Sequence, residues 1–490
     1  MATMRTLFLN PPSYAGFDGG AGARYQARRE IKSFWFPTWL AQPAALIPNS
    51  KLIDAPADDL NLQEVIQRAK GFELCVMHTS TPSFDNDVKV AQALKKAYPD
   101  MKIGFVGAHV AVLPEESLNA APVLDFVARE EFDYTLLEVA QGKAYQDIAG
   151  LSYHADGGVA HNPDRQLIGE MDALPSVIDV YKRDLTIENY YIGYLQHPYL
   201  SLYTGRGCPA RCTFCLWPQT VGGHVYRTRS AQSVIDELVR AKALFPQVKE
   251  FFFDDDTFTA DLNRAAEIAR GLGKAGITWS CNSRANVPYE YLKTFKENGL
   301  RLLLVGYESG NQQILNNIKK GIRLDIAKEF TKNCRALGII IHGTFILGLP
   351  GETKETIEES IKYACQLDVE TMQVSLAAAY PGTELYRQAV ANKWFDESSL
   401  VRNDGTQAAA IRYDHLSAQD LEAGVKRFYS KFYARPRPIL RMLKAMAKDP
   451  AERRRRLREG KEFLNYLRGR TDKPESRIEE PAPEKEKVAA

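Results

Sequence analysis

Three cysteines crowd into eight positions of this chain, and they constrain it more than any other feature. Cys208, Cys212 and Cys215 have Cys-x3-Cys-x2-Cys spacing and follow an apolar segment, residues 199–203, that predicts a β-strand. Thiolates at this spacing favour a soft metal, and iron–sulfur clusters normally take four cysteine ligands. No fourth cysteine lies near in sequence. One iron of such a cluster would therefore keep an open position for a ligand that is not protein.

A zinc site or chance clustering could also place three cysteines together. A structural zinc site would want a fourth ligand, which His224 could supply. Chance clustering is improbable, because three of only seven cysteines fall in this loop. An odd cysteine count with a cluster motif favours a reducing cytoplasm over a disulfide framework, and the sequence shows neither a signal peptide nor an apolar run that could span a bilayer.

With Phe214 before the last cysteine, the motif resembles that of the radical S-adenosylmethionine (SAM) enzymes. The resemblance implies that the three cysteines are the catalytic cluster ligands, with Phe214 beside the cofactor. It further implies a 4Fe–4S cluster whose open iron is chelated by the amino and carboxylate groups of SAM. One electron, from a donor such as flavodoxin or ferredoxin, would cleave SAM to methionine and a 5'-deoxyadenosyl radical that takes hydrogen from a C–H bond. The protein would supply ligation, orientation and exclusion of water.

Strands and helices alternate before the cysteines. Short apolar strands are predicted at residues 6–10, 51–54, 73–79, 102–107 and 125–128, with helical periodicity at 60–70 and 87–98. This alternation predicts an α/β fold with a doubly wound parallel sheet. Ligands of such sheets bind at the carboxyl ends of the strands, and residues 10–12, 79–81 and 107–109 there are small, polar or glycine-bearing. They suit a large planar cofactor, although ordinary Rossmann-type turns explain them equally well.

A sheet of this kind before the cysteine loop resembles the cobalamin-binding domain of the B12-binding radical SAM enzymes. The resemblance implies cobalamin as a third cofactor. The Asp-x-His-x-x-Gly motif that places a histidine on cobalt in other cobalamin proteins is absent, and His109 is the histidine that could approach the corrin. Residues 33–43, an aromatic and proline-rich insertion, are expected to pack against the second domain or to line an entrance for an apolar substrate.

Strand–helix alternation resumes after the cysteines. Strands are predicted at 199–203, 250–253, 278–283, 302–306, 339–347 and 372–377, with helices at 260–274, 289–297, 324–337 and 353–366. Six such units resemble the partial (β/α)6 barrel of the radical SAM family, in which catalytic groups gather at the carboxyl ends of the strands. The expected domains are a cobalamin-binding-like Rossmann domain (1–149), a connector (150–194) with a turn at Gly157-Gly158, the radical SAM barrel (195–410), a basic helical extension (411–470) and a tail (471–490).

The strand ends supply the candidate SAM contacts, each by resemblance to the family's motif at the same strand. Glu308 can accept from the ammonium or the ribose, Arg284 can pair with the carboxylate and Asn282 can bond the ribose. Ile346 and Gly348 can pass beside the adenine, and Asp255 is the candidate contact on the second strand. For each of these the alternative is a helix cap or a barrel salt bridge. Residues 254–256 in particular could simply cap the next helix.

The C-terminal region is strongly basic. Residues 435–470 carry thirteen Lys or Arg against four Asp or Glu, and Ile439, Met442, Leu443 and Met446 recur at helical spacing before an Arg453–Arg456 run. The pattern is typical of an amphipathic helix on an anionic membrane surface, so the protein is expected in the cytoplasm, peripheral to the membrane. No stacking aromatics accompany the arginine run, which argues against nucleic acid, and a solvated basic face remains an alternative. Residues 471–490, rich in Pro, Glu and Lys, are expected to be disordered.

Over most of its length the chain resembles the hopanoid-biosynthesis-associated radical SAM family, including residues 7–12 and 25–30. The resemblance implies a hopanoid glycoside substrate, a hexosamine on bacteriohopanetetrol that is contracted to the aminocyclopentitol of the cyclitol ether head group. A cobalamin-dependent methyltransferase acting on a lipid or another small molecule is the main alternative. A binding or sensing module without turnover is a further alternative, and it is disfavoured because it would have no use for an iron with an open coordination position. An RNA methylthiotransferase would need a second cluster, and the N-terminal domain has only Cys75.

Overall fold

The computed structural model describes residues 3–17, 33–395, 400–401, 408–448 and 453. Its strands are β1 Thr6–Asn10, β2 Ser50–Asp54, β3 Leu74–His78, β4 Lys102–Val106, β5 Phe126–Ala128, β6 Leu151–Ala155, β7 Gly158–His161, β8 Tyr199–Leu202, β9 Gly205–Arg206, β10 Arg227–Thr228, β11 Glu250–Phe253, β12 Trp279–Ser283, β13 Leu300–Glu308, β14 Ile340–Leu347 and β15 Thr371–Leu376. The segment 25–30, residues 454–456 of the arginine run and the tail 471–490 lie outside the described residues.

The helices fall mostly between these strands. They are α1 Thr38–Leu46, α2 Leu62–Arg68, α3 Phe84–Ala97, α4 Ala108–Val112, α5 Pro114–Ala120, α6 Asp133–Ala140, α7 Ile178–Asp184, α8 Leu216–Thr220, α9 Ala231–Leu244, α10 Leu262–Lys274, α11 Tyr289–Glu297, α12 Gln312–Asn317, α13 Leu324–Ala336, α14 Lys354–Leu367, α15 Glu384–Ala391, α16 Ala418–Tyr433 and α17 Pro436–Lys448. None of the helices in the described part of the chain combines the length and apolar composition that crossing a bilayer requires.

The N-terminal sheet has the order β2-β1-β3-β4-β5-β6-β7. β1 to β5 are parallel, and their apolar residues are buried on both faces, as expected for strands covered by crossover helices. β6 and β7 form the hairpin expected around Gly157-Gly158, and they extend the sheet as antiparallel strands. The N-terminal sheet therefore continues past residue 149, into the segment that composition alone marks as a connector.

The second sheet has the order β15-β14-β13-β12-β11-β8, with every pair parallel. Each strand except β15 is followed by a helix that returns the chain to its amino end, giving the expected partial barrel of six strands. The α/β class, the parallel N-terminal sheet, the barrel and the C-terminal helices are confirmed. α16 covers β14, β15 and α14, and its first turn is closed by a capping box of Ser417 and Asp420.

One hydrophobic core runs through both sheets. It joins Phe8 and Phe126 of the N-terminal sheet to Phe252 and Phe345 of the barrel without a break. The aromatic insertion makes much of this connection, and its residues from Thr38 onward form α1 and not a loop. Phe36, just before α1, packs edge-on against Tyr199 of β8 with ring centroids 5.4 Å apart and stacks on Tyr190 at 4.1 Å. The expectation that the insertion packs against the second domain is confirmed.

Candidate active site

The cysteine loop leaves β8 and is held by a two-stranded ribbon in which β9 pairs antiparallel with β10. Cys208 and Cys212 are buried and Cys215 is partly exposed. The side-chain amide of Gln219 donates to the carbonyls of Cys212, Thr213 and Cys215 at 3.2, 3.2 and 2.8 Å. One side chain thus gathers the backbone around the second and third cysteines. Gln219 carries no motif signal, so the sequence alone does not reveal it.

The three thiols lie close enough to act on one another electrostatically. Burial is the largest effect that raises the pKa of Cys215, and Asp256 and the other two thiols raise it further. Burial likewise raises the pKa of Cys208, with Asp256 and Cys212 adding to the effect. Thiolates are needed to bind iron, and a cationic cluster would offset this penalty. The donor set of three cysteines in one loop, whose thiols act on one another electrostatically, fits a 4Fe–4S cluster that keeps one iron free of protein.

His224, the candidate fourth zinc ligand, faces the loop backbone. Its Nδ1 lies 3.3 Å from the Cys208 carbonyl oxygen and 3.1 Å from that of Ala210. This nitrogen therefore donates a hydrogen bond to the loop. Within the part of the chain that the structure describes, no three or more His, Cys, Asp or Glu side chains are grouped to hold a single metal ion.

Two acidic residues after β11 have different roles. Asp255 supports the cysteine loop, and Asp256 acts on the cysteine thiols. Asp255 is fully buried and accepts from the Thr204 amide, the Thr204 hydroxyl and the Tyr226 hydroxyl, each at 2.6 Å. Burial raises the pKa of Asp255. Asp256 is the residue that acts on Cys208 and Cys215, and burial raises its pKa to about 6. Asp255, the expected SAM contact, thus braces the start of the cysteine loop.

The alternative role of residues 254–256 as a helix cap is wrong. α10 begins later, and Asp261 is its N-cap residue, accepting from the Arg264 amide at 3.0 Å. A short 3-10 turn separates the aspartates from the helix, which sequence periodicity does not resolve. Asn282, on the next strand, donates to the Asp255 carbonyl at 2.9 Å.

Glu308 and Arg284 both meet the segment after α12. Glu308 has a positive φ of 63° and lies at a register shift in β13, so its side chain turns toward Lys320. The two form a buried ion pair at 2.6 Å. Burial alone would lower the pKa of Lys320, but Glu308 and Cys212 raise it above its usual value. Arg284 donates to the Lys320 carbonyl at 2.6 Å. The structure therefore brings both expected SAM ligands to Lys320, close to Cys212.

The loop after β14 is organised by a buried carboxylate. Gly348 has a φ of +89°, which favours glycine, and its amide donates to the Glu352 carboxylate while its carbonyl accepts from the Tyr413 hydroxyl at 3.0 Å. The other oxygen of Glu352 has no hydrogen-bond partner among the described residues, and burial raises the pKa of this residue to about 7. Ile346 is half-buried and precedes this loop.

His109 and Phe214 occupy opposite sides of the interface between the domains. His109 lies in α4, with Nδ1 3.2 Å from the Thr81 hydroxyl and its ring 4.7 Å from Phe84. Burial lowers the pKa of His109 to about 4, so its ring is neutral at pH 7. Phe214 is partly buried against the core. α4 contacts α8, the short helix directly after Cys215, so the strand ends of the two sheets face each other.

A buried ion network clamps the cysteine ribbon to the N-terminal domain. Arg206 donates to both oxygens of Asp133 at 2.6 and 3.2 Å, and its guanidinium lies 4.7 Å from the Trp39 ring. Arg227 donates to both oxygens of Glu131 at 2.7 and 2.8 Å. These four charged groups are almost fully buried; Glu131 lies between β5 and α6, and Asp133 is the first residue of α6. The loop that carries the cysteines is therefore fixed to both domains.

The aromatic insertion completes this interface. Trp39 stacks on Trp217 with centroids 5.3 Å apart and an interplanar angle of 6°. Phe36, Trp39 and Leu40 are all buried, so they leave no open apolar surface of their own. Trp35 and Phe34 remain partly buried at the edge of the core.

Comparisons of the sequence with a family model and with curated proteins agree on one family. The model of the Radical SAM superfamily matches residues 202–364, from the end of β8 to α14. Over 459 residues the chain is 30% identical to an uncharacterized methyltransferase of Pyrococcus horikoshii, which covers 90% of this chain and 95% of that protein. It is 28% identical over 313 residues to the hopanoid C-3 methylase of Methylococcus capsulatus, covering 61% of this chain and 56% of that enzyme.

A solved structure aligns with nearly the whole of this chain. The cobalamin-dependent S-adenosylmethionine radical enzyme OxsB, with aqua-cobalamin and S-adenosylmethionine bound, aligns with a TM-score of 0.68 at 16% identity. The alignment covers 95% of this chain and 71% of OxsB, so the fold of both domains is shared. With the Radical SAM match over the cysteine-bearing barrel and the methyltransferase relative along nearly its full length, this chain belongs to the radical SAM superfamily of enzymes, which use a 4Fe–4S cluster and SAM.

Proposed function

We propose that this protein binds its 4Fe–4S cluster through Cys208, Cys212 and Cys215, with SAM at the barrel mouth and cobalamin at the facing edge of the N-terminal sheet. The observation that carries the proposal is the clamped cysteine loop, which lies where the strand ends of both sheets meet. When bound, the cluster supplies the electron that cleaves SAM to a hydrogen-abstracting radical. The chain's own part is to bind, orient and exclude water.

Different residues at the barrel mouth would contact different parts of SAM. Arg284 has its Nη2 on the backbone after α12, which leaves the rest of its guanidinium for the SAM carboxylate. Glu308 accepts from the SAM ammonium while Lys320 pairs with one of its carboxylate oxygens. Gly348 and Ile346 offer a slot for the adenine, and Glu352 fixes the shape of that loop. Asp256 is an acid whose charge acts on Cys208 and Cys215, and it would influence the cluster's reduction.

Cobalamin would occupy the edge formed by β3 and β4. The Thr79 hydroxyl is buried there without a hydrogen-bond partner in the described part of the chain, and a polar ligand group would satisfy it. Gly107 follows β4 with a φ of +117°, and a Cβ on it would collide with the Thr79 carbonyl, so glycine here lets the ends of β3 and β4 lie close together. OxsB is described as cobalamin-dependent, and the folds of the two proteins align over both domains. His109 Nδ1 is bonded to Thr81, an arrangement typical of histidines whose other nitrogen binds a metal, so Nε2 is the ring nitrogen that could approach cobalamin.

For the reaction, we propose ring contraction of the hexosamine on bacteriohopanetetrol, which forms the cyclitol ether head group. The sequence resemblance to the hopanoid-associated family and the hopanoid C-3 methylase relative support this substrate class. A contraction at unactivated carbon has no evident acid–base route, which suits a radical site. The second candidate is methyl transfer to a lipid or another small molecule, favoured by the methyltransferase name of the relative at 30% identity. Methyl transfer fits these observations at least as well.

Anaerobic reconstitution tests the cofactors. Iron, sulfide and cobalt are measured on the wild type, on Cys208→Ala and on Cys365→Ala as a control, because Cys365 lies on α14 away from the loop. We expect Cys208→Ala to lose iron and SAM cleavage while the control keeps both. Full iron content in Cys208→Ala would refute the ligand assignment. Absence of cobalt after incubation with hydroxocobalamin would refute the cobalamin site and leave the cluster assignment unaffected.

Product analysis separates the two reactions. The reconstituted enzyme is incubated with hopanoid glycoside deuterated on the sugar. Ring contraction predicts deuterium in 5'-deoxyadenosine and a cyclitol ether of unchanged carbon count. A product heavier by one methyl group would establish methyl transfer instead. Deoxyadenosine without deuterium from any sugar position would exclude this glycoside as the substrate.

A further inference from the structure

α17 is attached to the protein by its arginines and turns its leucines outward. Helices of globular proteins normally bury the apolar face and expose the charged one. Here Arg435, which precedes the helix, bonds the Asp368 carboxylate at 2.9 Å, and Arg441 bonds it at 3.2 and 3.3 Å. Arg441 also donates to the Val369 carbonyl at 2.9 Å. The cationic side of the segment is thus its attachment side.

The opposite side of α17 presents a continuous apolar surface. Ile439, Leu440 and Leu443 are 39%, 55% and 54% exposed, and their spacing of one, three and four residues puts them on one face. The other large exposed apolar residues in the described part of the chain lie singly on separate elements. Single exposed apolar residues are common on protein surfaces, but three on adjacent turns of one helix form a contiguous apolar patch, which indicates an interaction surface.

Charge decides what covers this patch. The helix sequence contains no acidic residue; Arg437 lies 3.7 Å from the Asp368 carboxylate but is 78% exposed, and Lys444 is also exposed. The chain then continues into the Arg453–Arg456 run. An apolar face flanked by cations matches the boundary between acyl chains and anionic headgroups, where Lys and Arg side chains reach up to the phosphates.

We infer that α17 is an in-plane anchor that docks the protein on an anionic phospholipid surface, with Ile439, Leu440 and Leu443 inserted below the headgroups. The Asp368 pairs hold the helix at a fixed angle to the barrel. This goes beyond the proposed function, since it concerns a binding partner and not the reaction.

The position of the anchor keeps it clear of the candidate active site. Asp368 and Val369 precede β15, so α17 lies at the amino end of that strand, while the cysteine loop and the SAM residues lie at the carboxyl ends. Docking therefore leaves the cofactor site uncovered. SAM cleavage without lipid is expected to be independent of α17, which makes membrane binding measurable apart from turnover.

Co-sedimentation of the full chain with vesicles tests the anchor. Vesicles of phosphatidylcholine alone are compared with vesicles that also contain phosphatidylglycerol. The test variant is Leu440→Asn with Leu443→Asn, which removes apolar contact without changing charge. Its control is Val239→Asn with Ile326→Asn, two equally polar changes at 46% exposed positions on α9 and α13. Circular dichroism and iron content report whether each variant is folded.

We expect the wild type and the control to bind the anionic vesicles. The leucine variant should bind them with an affinity lower by about tenfold or more. Raising the salt concentration should release the wild type, since exposed charges are screened. A chain that ends at Lys448 should keep a measurable part of the binding through α17.

Four results would overturn the inference. Equal binding of the leucine variant and the control would show that the face is unused. Complete loss of binding on truncation, with the leucine variant unaffected, would assign the attraction to residues after Lys448. Equal binding to neutral vesicles would remove the role of charge. A change from dimer to monomer in the leucine variant, without lipid binding by the wild type, would identify a second copy of the chain as the occupant.

Discussion

Glu308 has a buried partner, Lys320, that motif spacing does not indicate. The pair allows two roles for the carboxylate, as a ligand for the SAM ammonium or as a support of the barrel mouth. A charged hydrogen bond to SAM is worth about 1.5 to 3 kcal/mol, which corresponds to roughly tenfold to over a hundredfold in affinity. We expect Glu308→Gln to lose that affinity in calorimetric titration with SAM.

The control for this prediction lies next to the pair. Glu384→Gln breaks the neighbouring ion pair with Lys319, which is half exposed, and should leave SAM affinity unchanged. If Glu308→Gln binds SAM as the wild type does but unfolds at a lower temperature, the carboxylate is a support only. Such a result would also shift attention to Asp256, the other acid near the cysteines.

Glu352 makes the stability of the protein depend on pH in a defined window. Burial raises the pKa of Glu352 from 4.5 to about 7 in the folded state. The folded state therefore binds more protons than the unfolded state between these values, so the free energy of unfolding falls as pH rises through them. The shift corresponds to about 3 kcal/mol at most.

Glu352→Gln should remove this dependence while keeping an acceptor for the Gly348 amide. Urea unfolding at about pH 5 and about pH 8 measures it, and the wild type should lose more stability across that range than the variant. The difference between the two proteins isolates Glu352 from all other titrating groups. Parallel losses in the two proteins would mean that the carboxyl is already ionised in the folded state at the lower pH.

At the scale of elements, the ribbon of β9 and β10 depends on its clamp. Asp133→Asn leaves Arg206 buried with its partner's charge removed, and breaking a buried pair in this way costs about 3 to 5 kcal/mol. We expect a lower unfolding temperature together with an altered electron paramagnetic resonance signal of the reduced cluster, because Cys208 follows β9 by two residues. Asp325→Asn, in an exposed pair with Arg323, is the control and should change neither. A stability loss with an unchanged spectrum would limit the clamp to a structural role.

The regular elements follow from local signals, and the irregular ones do not. The parallel strands and the barrel helices could be predicted because apolar runs and helical periodicity repeat along the chain. α1 could not, since it contains Pro43 and lacks a side-chain N-cap bond, and it is held by tertiary packing such as the stacking of Trp39 on Trp217 of α8. Each strand of the β9 and β10 ribbon is two residues long and shows no period.

The candidate site divides in the same way. The cysteines and the strand-end residues can be found because the chemistry requires given residue types at given places. Lys320 and Gln219 cannot, because they lie after a short helix and inside another, and only the fold brings them to Glu308 and to the cysteine carbonyls. Asp256 rather than Asp255 faces the thiols because the backbone turns after β11.

At the scale of the whole molecule, the two domains share one core and a buried ion network. Separate domains of one chain usually move relative to each other unless their interface is large and apolar. Here Phe8 and Phe345, from different sheets, belong to one contiguous cluster, and Trp39 links α1 to the helix that follows the cysteines. A site built from both strand edges gains from this rigidity, since reacting groups must stay in register.

We therefore expect the N-terminal sheet and the barrel to unfold as one cooperative unit. In native-state hydrogen exchange, amides of β1 and β3 should exchange with the same free energy of opening as those of β12 and β13, because one face of the N-terminal sheet, including Phe8 and Val76, belongs to the core shared with the barrel. Trp39→Ala, which removes a buried interface side chain, should lower both sets together by about 3 to 5 kcal/mol. Faster exchange in the N-terminal strands alone, or two separate calorimetric transitions, would show that the domains are independent and that their strand edges are held together only by ligands.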